Sequence, residues 1–459
     1  MKANPWQSLY ERAASGDQES WLNKNLAKNH GCAYLRQFGA PKTMAAFRAQ
    51  VPLCGYDDLL SDLDRIKDGE PDILFAGRPV AYERTGGSSG GAKLIPYSRQ
   101  GLLDFQRDIV PWLAWTARKY QFSGSAYFAI SPATRQTECI GGIPVGLSDA
   151  AYLGEKAGMV LTAVTAVPFA VGAIADIATW RRETLSHLEN AADLEIISVW
   201  SPTFLLRLLE DIANPEQCWP HLKLVSCWAS GASQRFADTL RRKLPQAELQ
   251  AKGLLATEAV VTIPSAGGGC SAARHVFIEY LKNGRLFLED ELQIGSAYEA
   301  VVTTASGLYR YRTGDHVICQ GRNALGRIML EFAGRDALTC DLVGEKLIES
   351  FVCRCLAFLP GFAMLVPDGE NPGYVLLSDR PADGTALARI ELALRANPQY
   401  AYARDLGQLA PLRWLSHPQP LAIIEQNILS HGGRLGDVKP LALRRETFWL
   451  ALFAGRGQN

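Results

Sequence analysis

Between residues about 78 and 335, short apolar runs such as SAYFAI, LEIISVW and LKLVSCWA alternate with longer amphipathic stretches such as PTFLLRLLEDI and SQRFADTLRRKL. An apolar run bounded by turn residues reads as a strand buried on both faces, and an amphipathic stretch between two such runs reads as a crossover helix. Strands connected in this way run parallel, because only a crossover of this kind returns the chain to the same end of the sheet. The alternation therefore predicts an α/β chain built on a mostly parallel sheet with helices packed against it.

Around that centre the pattern changes. Residues 1 to about 70 read as helices, with WLNKNLAKN and MAAFRAQ separated by Gly, Pro and polar breaks. The stretch GRLFLEDELQIGSAYEAVVTTASGLYRYRTGDHVICQG is rich in β-branched and aromatic residues bounded by Gly and Asn, and predicts a small hairpin-built sheet. Beyond Arg335 a new pattern starts, with GFAMLVPDG and GYVLLSD as strands and TALARIELALRAN as a capped helix. At 459 residues the chain is too long for one ordinary core. The expected division is a large N-terminal domain over 1–335 and a smaller α+β domain over 336–459.

Composition narrows the partners. Lys plus Arg equal Asp plus Glu at 47 each, so no broad field attracts nucleic acid or an anionic membrane, and an anionic ligand must be met by a local site. The N-terminus lacks the apolar core of a signal peptide, and no run of roughly 18 apolar residues could span a bilayer, so a cytoplasmic protein is expected. The ten cysteines form no CxxC pair and read as buried free thiols. The seven histidines form no HxxxH or HExxH pattern, so a zinc held by protein ligands is not supported.

Four local motifs carry chemistry. The first is Thr85-Gly86-Gly87-Ser88-Ser89-Gly90-Gly91-Ala92-Lys93, between the strand-like PVAYER and KLIPYS. Glycines let backbone amides turn inward as an anion nest, while the hydroxyls and the lysine add donors and charge. It is not a Walker A loop, because Ala92 and Leu94 flank the lysine where Gly and Ser/Thr are required. Gly86-x-Ser88-x-Gly90 matches the serine-hydrolase elbow, but that motif needs a helix at once after the serine, and KLIPYS reads as a strand. A hairpin loop without ligand is the remaining alternative. The second motif is Gly253-Leu254-Leu255-Ala256-Thr257-Glu258, where a carboxylate after a small-residue turn could reach a metal bridging phosphates. Alone, it reads better as a surface glutamate at a strand end. The third, Gly307 to Asp315, offers an aspartate after a Thr-Gly turn, able to accept from both hydroxyls of a ribose; the alternative is a plain Gly-Asp turn. The fourth, Phe332-Ala333-Gly334-Arg335, puts an arginine at the expected hinge, for ribose, phosphate or a boundary salt bridge.

Taken in order, these motifs resemble the core motifs of the adenylate-forming superfamily. The runs ISVWSPTFL, GGIPVG and IGSAYEAVVTTASGLYRYRTGD are further similar to the auxin-responsive Gretchen Hagen family of acyl acid amido synthetases, over nearly the whole chain. That resemblance implies an ATP- and Mg²⁺-dependent ligase, which forms an acyl-adenylate from a carboxylic acid and passes the acyl group to the amine of an amino acid. It implies a large adenylate-forming domain with parallel-rich sheets and a small β-subdomain, followed by a mobile smaller domain that closes over the site. By position, Thr85, Ser88, Ser89, Gly90, Gly91 and Lys93 would line the phosphates, and Glu258 would hold Mg²⁺. Gly231, Ala232, Ala256 and Thr257 would lie beside the nucleotide; Asp315 would bind the ribose and Arg335 would meet it from the hinge. Lys439, in HGGRLGDVKP, would be the mobile-domain lysine that neutralises charge on the α-phosphate. The chain departs from the family in its Thr-Gly-Gly opening, where Ser/Thr-Ser-Gly is usual. Acceptors other than an amine (coenzyme A, a carrier-protein thiol) and a non-catalytic nucleotide-binding relative remain open. Trp112 and Trp115, on the helix after the loop, and Trp200 are the expected walls of the acid pocket, for an apolar or aromatic acid, with ordinary core as their alternative.

Overall fold

In the computed structural model, which describes residues 16–85, 93–129, 138–147, 152–335, 339–369, 371–430 and 438–455, the predicted alternation becomes a four-stranded parallel sheet. Residues 86–92, with Ser88, Ser89, Gly90 and Gly91 among them, lie outside the described residues.

Two short strands, β1 (Ala81–Arg84) and β2 (Leu94–Tyr97), pair antiparallel on either side of the Gly/Ser stretch in the sequence. With β4 (Glu138–Ile140) and β5 (Ile143–Val145) they make a sheet in the order β2-β1-β5-β4. Because β2 follows the loop and the helix Arg99–Tyr120 starts only after Ser98 caps it, the strand-to-helix geometry of a hydrolase elbow is absent here.

The parallel sheet has the order β3-β6-β7-β8, from β3 (Ser125–Phe128), β6 (Leu194–Ser198), β7 (Leu224–Cys227) and β8 (Glu248–Ala251). The helices Ile177–Glu189, Pro202–Leu209 and Gln234–Lys243 each lead into the next strand. Their apolar sides meet one face of the sheet, where Tyr127, Ile197, Val225 and Leu249 pack with Trp180 and Phe204. Since side chains alternate along a strand, the neighbours of these residues face the other way. The carboxyl ends of all four strands point to the same edge, the usual ligand-binding edge of an open parallel sheet.

The hairpin-rich stretch forms a five-stranded antiparallel sheet in the order β12-β11-β13-β14-β15: β11 (Phe277–Lys282), β12 (Arg285–Phe287), β13 (Ala297–Thr303), β14 (Tyr311–Arg322) and β15 (Ile328–Arg335). A short hairpin of β9 (Thr262–Pro264) and β10 (Cys270–Ala272) packs beside it. One expectation is corrected: Thr313-Gly314 is not a turn. It lies within the continuous β14, where the β13–β14 register shifts between Glu299 and Val301 and Gly314 takes φ 71°. There Ala300 alone stands opposite Thr313, Gly314 and Asp315, a bulge that puts two extra residues on β14 and re-aims the side chain of Asp315.

After Arg335 the small hairpin of β16 (Thr339–Cys340) and β17 (Leu347–Ile348) leads into the helix Glu349–Leu356. The predicted strands follow as β18 (Ala363–Pro367) and β19 (Tyr374–Ser378), antiparallel, with β20 (Arg413–Ser416) added parallel to β19. The helix Gly384–Leu394 starts where Asp383 accepts from the amides of Thr385 and Ala386. The apolar interior of this part is shared with what precedes it: Ala232 belongs to a cluster with Leu347 and Leu365, and Phe236 to one with Phe362 and Trp449. Arg235, between them, donates to the carbonyl of Ala363 at 2.6 Å. Among the described residues no helix is long and apolar enough to cross a membrane.

Candidate functional site

The base of the Gly/Ser loop is fixed by one backbone bond, Thr85 N–H to Lys93 C=O at 2.9 Å. The Thr85 hydroxyl is buried and has no partner among the described residues, an arrangement found where water or a ligand completes the site. Lys93 is exposed, with Nζ 3.4 Å from the Tyr311 hydroxyl and 5.4 Å from the centre of the Tyr56 ring. Its ammonium thus lies among aromatic groups.

The Glu258 turn is built by its glycine. Gly253 has φ 82°, and a Cβ added there would stand 2.4 Å from the Thr262 carbonyl oxygen, so no other residue fits. The turn closes through Leu254 N–H to Thr262 Oγ1 at 2.8 Å and Ala256 N–H to Ala259 C=O at 3.0 Å. The Tyr97 hydroxyl, at the end of β2, donates to the Thr257 carbonyl at 2.6 Å. That bond ties the turn to the hairpin that carries the loop. The charge of Glu258 reaches the neighbouring groups. Burial first, then Glu258, pushes the Tyr311 phenol upward, and Glu258 adds to the upward shift of Arg335, whose largest cause is Asp315. Lys93, Tyr311, Glu258 and the Asp315–Arg335 pair therefore converge.

Asp315 and Arg335 are direct partners across β14 and β15. The carboxylate is fully buried, and both its oxygens accept from the guanidinium: Oδ1 from Nε, and Oδ2 from Nη2 at 3.1 Å. The Asp315 amide donates to Thr313 Oγ1 at 3.0 Å, which sets the bulge. The two residues read from sequence as separate ribose contacts thus form one bidentate ion pair in this structure. The guanidinium keeps about a quarter of its side chain exposed, 25% against 1% for Asp315, so solvent reaches the pair from the arginine side.

Gly231 and Ala232 begin a short 3₁₀ turn, Gly231–Ser233. Gly231 has φ 58°, and a Cβ there would lie 3.4 Å from the Phe332 ring, so the turn lies close against β15, three residues before Arg335. Ala232 is buried in the C-terminal core.

A second group gathers at the carboxyl ends of β6, β7 and β8. Trp200 and Trp228, two residues past β6 and one past β7, have ring centres 6.2 Å apart, and the Trp228 amide donates to the Trp200 carbonyl at 2.9 Å. Lys439 Nζ lies 5.4 Å from the Trp228 ring centre. Lys252, just past β8, places Nζ 4.8 Å from Trp200 and 5.9 Å from Trp112. Trp115 instead faces Lys119, at 5.7 Å, on the partly exposed side of its helix. The sequence therefore named Trp112, Trp200 and Lys439 but missed Trp228 and Lys252, and it missed Tyr97 and Tyr311. The last two stand inside motifs already noted, KLIPYS and GLYRYRTGD, and strand alternation was the signal that could have drawn them out.

A metal would find Glu258 at this place, the Asp315 carboxylate being engaged by Arg335, and no group of three or more His, Cys, Asp or Glu able to hold an ion exists among the described residues. That donor set suits Mg²⁺, which takes one or two carboxylates and fills its shell with phosphate oxygens and water.

Comparison with known proteins fits this geometry. The model of the GH3 family N-terminal domain matches residues 8–214, and that of the GH3 family central domain matches residues 272–335. Together they take in more than half of the chain. The chain belongs to the GH3 family. Its sequence is 38% identical over 91 residues to the probable indole-3-acetic acid-amido synthetase GH3.4 of Oryza sativa subsp. japonica, a match covering 18% of this chain and 14% of that protein. It is 39% identical over 88 residues to the indole-3-acetic acid-amido synthetase GH3.15 of Arabidopsis thaliana, covering 18% and 15%. The matched stretches thus span about a seventh of these relatives' length. In three dimensions the GH3.15 acyl acid amido synthetase superposes over 99% of this chain and 96% of its own, with a TM-score of 0.83 at 16% identity. A 2-hydroxyisobutyryl-CoA ligase in the postadenylation state, bound to 2-HIB-AMP, covers 87% and 84% at a TM-score of 0.58 and 15% identity. The GH3 fold, shared with adenylate-forming ligases, is thereby established at identities where sequence similarity is confined to short stretches.

Proposed function

We propose that this chain is an ATP-dependent ligase that activates a carboxylic acid as its acyl-adenylate and transfers the acyl group to the amine of an amino acid. The observation that carries the proposal is the convergence of Lys93, Glu258 and the Asp315–Arg335 pair around the Tyr97 and Tyr311 hydroxyls, at the base of a Gly/Ser loop. A cationic arm, a carboxylate able to share a metal with phosphates, and a buried acid–guanidinium pair are the donors and acceptors a nucleoside triphosphate requires.

In the first step a carboxylate oxygen of the acid bonds to the α-phosphorus, the bond to the bridging oxygen breaks, and pyrophosphate leaves. Both reactants are anions, so the barrier falls with charge neutralisation and alignment. Lys93, Ser88, Ser89 and the amides of Gly90 and Gly91 would hold the β- and γ-phosphates, with Thr85 Oγ1 directed at the same anion. Mg²⁺ held by Glu258 would neutralise charge on the phosphates. Gly231, Ala232, Ala256 and Thr257 would flank the nucleotide, and Arg335 would reach its ribose while steered by Asp315. Lys439 would meet the α-phosphate. In the second step the amine nitrogen attacks the acyl carbon, AMP departs with the electron pair of the acyl–oxygen bond, and the ammonium formed gives up its proton to water or a base. Residues 336–459 would move as a unit between the steps about the Arg335 strand end, the usual way such sites exchange one set of groups for another.

Carboxylate-dependent exchange of pyrophosphate into ATP tests the first step, and mass spectrometry with a mixture of amino acids and coenzyme A tests the second. Exchange followed by an amide product is expected. No exchange across a broad acid panel refutes the adenylation reading, and a thioester without amide moves the acceptor to a thiol.

A further inference from the structure

The face of the parallel sheet turned away from its helix-packed core carries a row of polar groups that phosphate chemistry does not use. Ser198, Ser226 and Gln250 are direct register partners across β6, β7 and β8. Each sits next to a residue that enters the apolar core (Ile197, Val225, Leu249), so all three share the opposite face. Lys252 continues that face two residues beyond Gln250. It is only 5% exposed, and its ammonium stands 2.7 Å from Ser198 Oγ, 4.8 Å from the Trp200 ring centre and 5.9 Å from that of Trp112.

Four polar atoms in this region are buried without a hydrogen-bond partner among the described residues: Ser226 Oγ, Gln250 Oε1, the Trp112 indole nitrogen, and Thr116 Oγ1 one turn further along the same helix. Trp112, Thr116 and Ser226 are themselves more than nine-tenths buried. Folded proteins seldom leave such atoms unpaired, and a cluster of them marks a place that a ligand or water completes. An indole N–H, hydroxyls and a buried ammonium make the cluster rich in donors, beside the single accepting oxygen of Gln250. Its complement is an acceptor, best of all an anionic one, because desolvated donors discriminate strongly against a ligand that leaves them unpaired.

The position of the row fixes which end of a ligand it reads. Lys439 lies on Trp228, Trp228 neighbours Trp200, and Lys252 lies on Trp200, so the two lysines are linked through a run of two neighbouring indoles. In the adenylation reading, on which this inference rests, Lys439 marks the reacting end. We propose that Lys252, with Ser198, Ser226, Gln250 and Trp112, forms the distal end of the acid pocket and selects carboxylic acids that carry a second hydrogen-bond-accepting group remote from the reacting carboxyl. The aromatic walls expected from sequence remain, but the pocket they bound ends in a charged, polar floor rather than an apolar one.

The test uses the full chain and matched arylacetic acids that are unsubstituted, hydroxy-substituted or carboxy-substituted at the far position. Acid binding is measured by titration calorimetry in the presence of AMP, and activation by pyrophosphate exchange, for the wild type, Lys252→Met, Lys252→Arg and Ser226→Ala. The wild type is expected to favour a substituted acid over its parent by about tenfold or more, in Kd and in kcat/KM. Lys252→Met should collapse that ratio by about tenfold, and Lys252→Arg should keep most of it. The carboxy and hydroxy arms separate an anionic group from a neutral one. Exchange with equal or better use of the unsubstituted acid overturns the inference and leaves adenylation standing. Binding with the Lys252-dependent preference but no exchange does the reverse. If Lys252→Met does not fold, the same ratio read in Ser226→Ala, expected to drop by about threefold or more, decides; an unchanged ratio there overturns the proposal.

Discussion

Replacing Asp315 with Asn should cost about 2–3 kcal/mol of stability, and the cost follows from who holds its carboxylate. Both oxygens accept from Arg335, and the carboxylate is fully buried. Removing one member of a fully buried pair costs about 3–5 kcal/mol, because a desolvated charge is left uncompensated. Here the surviving charge is a guanidinium with 25% of its side chain exposed, so water recovers part of the loss, and Asn keeps one accepting oxygen. Arg335→Gln is the harsher change, at about 3–5 kcal/mol, since it strands a carboxylate with no solvent. In the double variant neither charge is left alone. A cycle of the three variants by urea denaturation should therefore show a coupling of about 1.5–3 kcal/mol, the usual worth of a charge-assisted hydrogen-bonded pair. A coupling below about 0.5 kcal/mol would refute the claim that the two act as one unit. Under the proposed function the same Asp315→Asn protein should also show a raised KM for ATP, by about tenfold or more, because Arg335 loses the partner that aims it.

Further outcomes can be read from single contacts. Tyr97→Phe removes the donor to the Thr257 carbonyl and should lower stability by about 1–2 kcal/mol while raising the KM for Mg-ATP, as the Glu258 turn comes loose from the hairpin; unchanged stability would mean that the 2.6 Å bond contributes little. Gly253→Ala forces a Cβ to 2.4 Å from the Thr262 carbonyl at φ 82° and should cost roughly 3 kcal/mol or more, visible as a lowered melting temperature. Burial pushes the thiols of Cys32 and Cys54 up to about 11, whereas Cys139 is exposed, so brief iodoacetamide treatment at pH 8 should label Cys139 well before either, by peptide mass spectrometry. Burial also raises the carboxyl pKa of Glu349, which accepts from the Ala442 amide at 3.1 Å. A carboxyl raised in the folded state stabilises most below its unfolded pKa, and that contribution is lost as the pH rises through the folded value. Glu349→Gln should flatten the decline in stability above the ordinary carboxylate range, and an unaltered pH profile would count against the assignment.

Much of the site was legible because its parts are local. The glycine of the Glu258 turn, the Gly/Ser loop between two strand-like runs, and the chain order of the motifs all depend on near neighbours. What failed to show was whatever depends on register. Thr313-Gly314 has the composition of a turn, yet the pairing of β14 with both β13 and β15 keeps the strand continuous and turns the glycine into a bulge. Lys252 stands directly before the Gly253–Glu258 motif without being part of it, and its meaning comes from Ser198, 54 residues earlier, brought alongside by parallel pairing.

The sequence by itself determined the α/β class, the order of strands and helices, and which short segments could hold an anion, because hydrophobic period and glycine placement act over a few residues. Tertiary structure alone decided the pairing of Asp315 with Arg335, the joining of loop and turn through Tyr97, and the line from Lys439 through Trp228 and Trp200 to Lys252. Those are contacts between strands and loops distant in the chain. Their geometry is set by sheet register, and a one-residue slip in that register would turn every one of the strand side chains to the opposite face.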